Sequence, residues 1–368
     1  MKIIKKGEVF RSKEGFFTYH AWPTVTRDEK GTLYAICSGM RVWHVCPFGK
    51  DVMNVSYDGG ETWSAPIVVN DTWLDDRDAG IAYLGDGKLI MSYFNHPVEN
   101  YARYKGWSIP RVDQYSKEFT AVAFDEIQKF TEEMNHSGSF VRLSRDYGFS
   151  WEEAVKVPVS SPHGPVPAKG RLIWLGREMY ATDSKTRQNT IACVESRDDG
   201  KTWTYLGEVP TNPADMDPEV GWCEPDVLEL PDGTLLGAIR VEGAKHGIME
   251  GGTIYLTRSE DGGKTWSVPE PSGLSGLPPR MTLLNNGDIL MVYARRVKPY
   301  GIYASVSHDG GKSFVDEVCL DDASELEYAG DIGYPASVQL EDGSIVTVFY
   351  KIVPGDEKPS ILYTKWSL

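Results

Sequence analysis

Short apolar runs recur along this chain in pairs, each pair bent around a glycine. Clear copies are IAYLGDGKLIMSYF (81–94), VLELPDGTLLGAIR (227–240), MTLLNNGDILMVYA (281–294) and VQLEDGSIVTVFY (338–350). Looser copies are PTVTRDEKGTLYAICS (23–38) and RLIWLGREMYATDS (171–184). Runs of this length, bounded by turn residues, predict β-hairpins rather than helices. The turn glycines read as Gly31, Gly87, Gly176, Gly233, Gly287 and Gly343, separated by 56, 89, 57, 54 and 56 residues. The spacing predicts six units, one of them longer by about 33 residues.

Between the hairpins a second phrase occurs five times, Ser-x-Asp-x-Gly-x-(Thr/Ser)-(Trp/Phe), starting at Ser56, Ser144, Ser196, Ser259 and Ser307. Asp followed by Gly favours a tight turn, because Asp bonds its own backbone and Gly accepts positive φ. The closing aromatic supplies each unit with a ring to bury. A hairpin, a third strand, this turn and a fourth strand make four strands per unit. Six such units predict an all-β fold, a six-bladed β-propeller of four-stranded blades. The sixth unit lacks the phrase and ends on ILYTKWSL, a third strand, so the N-terminal GEVFRS is expected to supply its fourth and close the ring. Residues 1–368 then form a single domain. The extra residues fall at about 95–137 in blade two, where KEFTAVAFDEIQKFTEEMN (117–135) has a helical period and predicts a partly helical flap.

Composition narrows the partners. A formal net charge of −15 argues against nucleic acid or an anionic membrane. No apolar run reaches the roughly 20 residues of a membrane span, and MKIIKKGEVF has no apolar core of a signal peptide. A cytoplasmic location is expected, a trimmed secreted form being the alternative. The five cysteines (Cys37, Cys46, Cys193, Cys223 and Cys319) have no metal-ligand spacing and read as buried free thiols. No metal or cofactor is expected.

In a propeller the innermost strands start at one face, and the loops between strands two and three return to it. Counting eight residues back from the position before each turn glycine gives the strand-one starts Trp22, Asp78, Pro167, Glu224, Pro278 and Tyr334. An acid opening blade four and a tyrosine opening blade six make an unusual pair for core-facing positions. The 2–3 loops add Arg41 and His44, then His96, then Arg240, Lys245 and His246, then Arg295 and Arg296; Arg77 and Arg280 lie close to strand-one starts. Cations on one face of an acidic protein point to an anionic ligand held by guanidinium forks. Each arginine has an alternative use in a structural ion pair with Asp75, Asp76 or Glu242.

The chain resembles the sialidase superfamily of six-bladed Asp-box propellers. GWCEPDVLELPDGTLLGAIR (221–240) is similar to the family segment in which a glutamate opens strand one and an arginine ends strand two, here Glu224 and Arg240. DIGYPASVQLEDGSI (331–345) resembles the nucleophile segment and gives Tyr334. The resemblance implies release of a terminal acidic sugar by a tyrosine nucleophile, an exception among glycosidases that use carboxylates. A phenol of pKa roughly 10 needs an adjacent base, a role that falls to Glu224, with Arg240 on the substrate carboxylate. The pattern departs where blade one reads Ala21-Trp22-Pro23 in place of Arg-Ile-Pro, and where no aspartate follows its strand two before Asp51. His44, Asp76 and Asp78 are the candidate acids; Arg77, Arg41, Arg280 and Arg296, with Trp22 and His96, are candidate substrate contacts. Two rival functions use the same face. One is a uronate-glycan lyase working through His44, His96, His163 or Tyr334. The other is a non-catalytic glycan-binding propeller using Arg240 with Trp22, Trp43, Trp73 and Trp222.

Overall fold

Six antiparallel sheets form the ring in a computed structural model that describes residues 1–132, 134–178, 190–210, 220–243, 251–326 and 331–368. Blade one consists of Tyr19–Arg27, Leu33–Arg41, Lys50–Ser56 and Ile67–Asn70; blade two of Arg77–Gly85, Lys88–Asn95, Gly138–Ser144 and Val155–Val157. Blade four runs Gly221–Glu229, Leu235–Glu242, Thr253–Ser259 and Glu270–Ser275. Blade five runs Leu277–Leu283, Ile289–Arg295, Gly301–Ser307 and Val315–Asp322. Blade six takes Ile332–Gln339, Ile345–Ile352 and Pro359–Ser367 from the end of the chain and Lys2–Phe10 from its beginning. Lys2 pairs with Ser367 and Phe10 with Ile361, so the two ends of the chain close the ring.

Blade three corrects the hairpin reading. Gly176 lies inside strand two (Arg171–Glu178), opposite Ala192, and the turn glycine is Gly170, with φ +72°. Pro167 therefore pairs with Leu172 in mid-strand. The innermost strand is broken into Val159–Ser160 and Val166–Ala168, with residues 161–165 looped out between them.

The repeated phrase builds the same turn each time. In the first copy Ser56 Oγ donates to Asp58 Oδ1 at 2.8 Å and accepts from the Gly60 amide, while Asp58 accepts from the amide and hydroxyl of Thr62. The glycines at this position all have φ between +81° and +101°, a region closed to side chains without strain. The closing ring enters the seam with the preceding blade: Trp63 joins the cluster of blades six and one, Trp151 that of one and two, and Trp203 that of two and three. Trp266 and Phe314 do the same for the next two seams. Burial of one such ring contributes about 1.5–3 kcal/mol, so the core of the molecule is a set of seams rather than a single centre.

The insertion in blade two carries two helices, α1 (Tyr101–Ser108) and α2 (Lys117–Ile127). They pack Tyr101, Phe124 and Ile127 against Val45 and Leu74 of blade one, and the Asp75 amide donates to the Tyr101 hydroxyl at 2.8 Å. No described helix is long and apolar enough to cross a membrane. Among the cysteines, Cys37, Cys46 and Cys193 are buried, Cys223 is half-buried and Cys319 is exposed, which corrects the expectation of five buried thiols.

Candidate active site

Every innermost strand except the broken one of blade three bulges at its start. Two residues oppose one on the neighbouring strand: Trp22–Pro23 in blade one, Asp78–Ala79 in two, Glu224–Pro225 in four, Pro278–Pro279 in five and Tyr334–Pro335 in six. Proline cannot donate to the ladder, and bulges re-aim side chains. Trp22, Asp78, Glu224 and Tyr334 each adopt left-handed backbone, with φ of 56°, 51°, 49° and 50°. Such conformations are costly for side chains of this size and concentrate at functional sites.

The bulges bring the blade-four acid and the blade-six tyrosine into contact. Tyr334 donates its hydroxyl to Glu224 Oε1 at 2.5 Å, and Arg240 Nη1 donates to the other oxygen at 2.5 Å. The same Arg240 nitrogen lies 3.5 Å from the tyrosine hydroxyl. Burial holds the phenol well above its usual pKa, and the Glu224 charge adds to this while Arg240 opposes it. Arg240 also pairs with Glu242 at 2.6 Å, so its charge is shared between two carboxylates.

Arg296 is a second cation beside Tyr334. Its guanidinium lies 5.9 Å from the centroid of the Tyr334 ring and donates to the Ile332 carbonyl and the Tyr350 hydroxyl. Among the described residues it has no carboxylate partner. Arg295, one residue earlier, turns away to Glu317 at 2.6 Å.

Asp78 is buried, and its Oδ1 has no hydrogen-bond partner among the described residues. Burial raises its pKa to about 6; Arg77 and Arg41 oppose the rise, and the Glu224 charge reinforces it. Asp76 accepts from the Thr72 amide and hydroxyl and from Asn95, so both its oxygens are engaged, unlike those of Asp78; burial outweighs these bonds and raises its pKa to about 7. His44 is corrected as a ready proton donor. Burial, with Arg77 and Arg41 nearby, holds its pKa well below the usual value and leaves the ring neutral. Its Nδ1 lies 3.3 Å from the Tyr19 hydroxyl, which donates to Asp331.

Several candidate substrate contacts are engaged elsewhere. Arg41 is fully buried, 2.6 Å from Asp75. Arg280 is 2.7 Å from Asp226. Trp22 is buried, with the Arg77 guanidinium 4.6 Å from its ring and Tyr334 against its edge. His96 packs between Phe94 and Tyr104. Of the rim tryptophans, Trp222 is buried, Trp43 is half-buried and Trp73 is exposed. Lys245 and His246 lie outside the described residues.

The looped-out segment of blade three brings in His163, whose ring centroid is 6.4 Å from that of Tyr334. The loop lies close over blade two, where a Cβ on Gly80 would meet the Gly164 amide at 2.6 Å. His163 is buried, and neither ring nitrogen has a hydrogen-bond partner among the described residues. Burial, then Arg280, keeps it neutral. Among the described residues no cluster of histidines, cysteines and acids is arranged to hold a metal.

The BNR repeat-like domain family matches residues 119–347, more than half of the chain. The chain belongs to this family. No curated protein matches the sequence. Among solved structures, this BNR propeller is similar to a protein of unknown function from Dyadobacter fermentans DSM 18053, with TM-score 0.75 and 21% identity over 100% of this chain and 98% of that one. It is similar to the intramolecular trans-sialidase from Ruminococcus gnavus, with TM-score 0.65 and 13% identity over 100% and 98% of the two chains. It is also similar to the NanB sialidase from Streptococcus pneumoniae, with TM-score 0.64 and 14% identity over 98% of this chain and 70% of that one. At these identities the likeness is one of fold: the chain is a sialidase-like BNR propeller.

Proposed function

We propose that this BNR propeller is an exo-acting glycosidase that releases a terminal acidic sugar, a sialic acid or a related nonulosonate or uronate. The observation that carries the reading is the 2.5 Å contact between the Tyr334 hydroxyl and Glu224, with Arg240 on the far oxygen of the same carboxylate. A buried phenol is a poor nucleophile until a base takes its proton. Glu224 takes that proton as the phenolate oxygen attacks the anomeric carbon, and Arg240 stabilises the charge that develops on the tyrosine. A neutral tyrosine also approaches a carbon bearing a carboxylate without the repulsion that an Asp or Glu nucleophile would meet.

Asp78 supplies the leaving-group proton. Its carboxyl, held near pKa 6 by burial, is largely protonated in mildly acidic solution. The bond from the anomeric carbon to the aglycone oxygen breaks as that oxygen receives the Asp78 proton. Water, deprotonated by Asp78, then displaces the tyrosine, whose oxygen regains its proton from Glu224. Arg296, with no carboxylate partner among the described residues, is assigned to the sugar carboxylate.

Release of the aglycone from an aryl α-sialoside by wild type and by Tyr334→Phe tests the reading. Turnover that falls by about a thousandfold or more, roughly 4 kcal/mol of barrier, supports it. Equal turnover by the two proteins removes Tyr334 as nucleophile. No turnover by wild type on sialosides or uronosides overturns the glycosidase assignment, and ultraviolet absorbance from an unsaturated product would replace it with a lyase.

A further inference from the structure

A cavity of about 400 Å³ lies between the helical insertion and the first two blades, lined by His44, Arg77, His96, Arg103, Tyr104 and Trp107 with Val45. Its size falls within the range of about 300–1,000 Å³ usual for small-molecule sites. One wall belongs to the ring and the other to α1, and the second wall is firmly placed. Tyr101 is fully buried beneath it, and the Ser108 hydroxyl donates to the Val45 carbonyl at 3.2 Å.

The chemistry of the lining is cationic and aromatic. Arg77 is 5% exposed, and its Nε has no hydrogen-bond partner among the described residues. Arg103 lies 5.0 Å from the Tyr104 ring, and Arg111 lies 5.1 Å from that of Trp107. Among the described residues no carboxylate lines the space. On the ring side Asp75 is fully buried, 2.6 Å from Arg41 and 3.7 Å from Arg77, and Asp78 also faces the Arg77 charge, so Arg103 is the cation of the lining left to an anion. Burial keeps both histidines neutral, so they add hydrogen-bonding capacity without charge. Trp107 remains 38% exposed, with a ring edge-on to His44 at 5.3 Å, and offers the apolar surface on which a sugar ring stacks.

We propose that this cavity is a subsite for a sugar residue carrying an anion, either a carboxylate or a sulfate ester, and that it receives the leaving group. The second half rests on the reading of Asp78 as the acid. A general acid stands on the side of the departing oxygen, and Arg77, its chain neighbour, forms the cavity wall. The preference for an anion stands on the lining alone. The substrate is then an acidic sugar linked to a second acidic sugar.

Isothermal titration of the whole protein with methyl β-D-glucuronoside, glucose 6-sulfate and methyl β-D-glucoside tests the subsite without requiring turnover. The expected result is binding of one or both anionic sugars at least about tenfold tighter than the neutral one. Arg103→Gln should weaken the anionic sugar about tenfold and erase the preference, and Trp107→Ala should weaken all three; both side chains are exposed, so folding is not at stake. Which anionic sugar binds distinguishes carboxylate from sulfate. No binding, equal affinity for charged and neutral sugars, or indifference to both substitutions would overturn the subsite. Repeating the titration with N-acetylneuraminic acid present tests the placement: independent binding supports a leaving-group subsite, and competition overturns that half. A protein that binds these sugars but cleaves neither sialosides nor uronosides loses the glycosidase reading and keeps the anionic subsite.

Discussion

The two faces of this propeller repeat different things. On one face five turns repeat a sequence, in each of which Asp accepts from the leading Ser and from the later Thr or Ser hydroxyl, with the same left-handed glycine. On the other, four strand starts repeat a geometry, a bulge with φ near +50°, while the residue in it changes from Trp22 to Asp78, Glu224 and Tyr334. The first kind of repetition fixes both letters and shape because the turn is the product. The second fixes only the shape, which re-aims whatever side chain stands there at the start of an innermost strand. Stability is expected to follow the first face and activity the second.

The largest separation of the two should come from Asp78→Asn. Loss of the proton donor should lower kcat/KM about 10²–10⁴-fold on alkyl glycosides. In the wild type kcat/KM should fall as pH rises past about 6, where the acid ionises. The substitution should affect stability with the opposite sign. The folded pKa of about 6 stands above the ordinary 3.8, so the contribution of Asp78 is complete below pH 3.8 and lost as pH rises through 6. The asparagine variant should therefore be more stable than wild type at pH 7.5, by on the order of 1–3 kcal/mol, and lose that advantage near pH 4. Denaturant titrations at the two pH values would decide; a variant less stable at pH 7.5 would break the comparison.

A middle-sized effect is expected at His163. Phe in its place removes two buried nitrogens without partners among the described residues and should stabilise the fold by about 1 kcal/mol. If those nitrogens meet a substrate hydroxyl or amide, KM should rise about tenfold while kcat changes less. An unmoved KM would leave His163 as a core residue. The smallest effect on chemistry should come from Asp58→Ala on the opposite face, with kcat/KM within about twofold and Tm lower by about 2–4 °C. Slight burial pushes the Asp58 pKa up, but bonds from Thr62 and Ser56 outweigh it and set it at about 2. Its stabilisation is present above pH 3.8 and lost as pH falls through about 2, so wild type and variant should converge in acid.

The fold was legible because glycine turns and box turns are local events written in adjacent residues. The same arithmetic located Asp78, Glu224 and Tyr334, since a fixed strand length separates the turn glycine from the bulge. It failed in blade three, where Gly176 sits in a strand and Gly170 makes the turn, and so His163 was left as one lyase candidate among several. A further signal lay in the sequence: Trp22-Pro23, Glu224-Pro225, Pro278-Pro279 and Tyr334-Pro335 each set a proline where the ladder is broken. The arginines were not separable by type. Arg280 and its partner Asp226 stand 54 residues apart, one blade repeat, while Arg296 has no such partner among the described residues. Burial, which neutralises His44 and lifts Asp78, depends on the insertion and loops above them and has no local mark.

The cations of the cavity and the candidate site also bear on how an anionic sugar arrives. With a formal net charge of −15, the molecule repels such a substrate from afar and attracts it only within about a Debye length of Arg77, Arg103 and Arg296. Encounter is then slowed by the body of the protein before these arginines can help. Adding salt from low ionic strength should raise the second-order rate constant for an anionic substrate before lowering it, whereas a site on a basic protein would show only the fall.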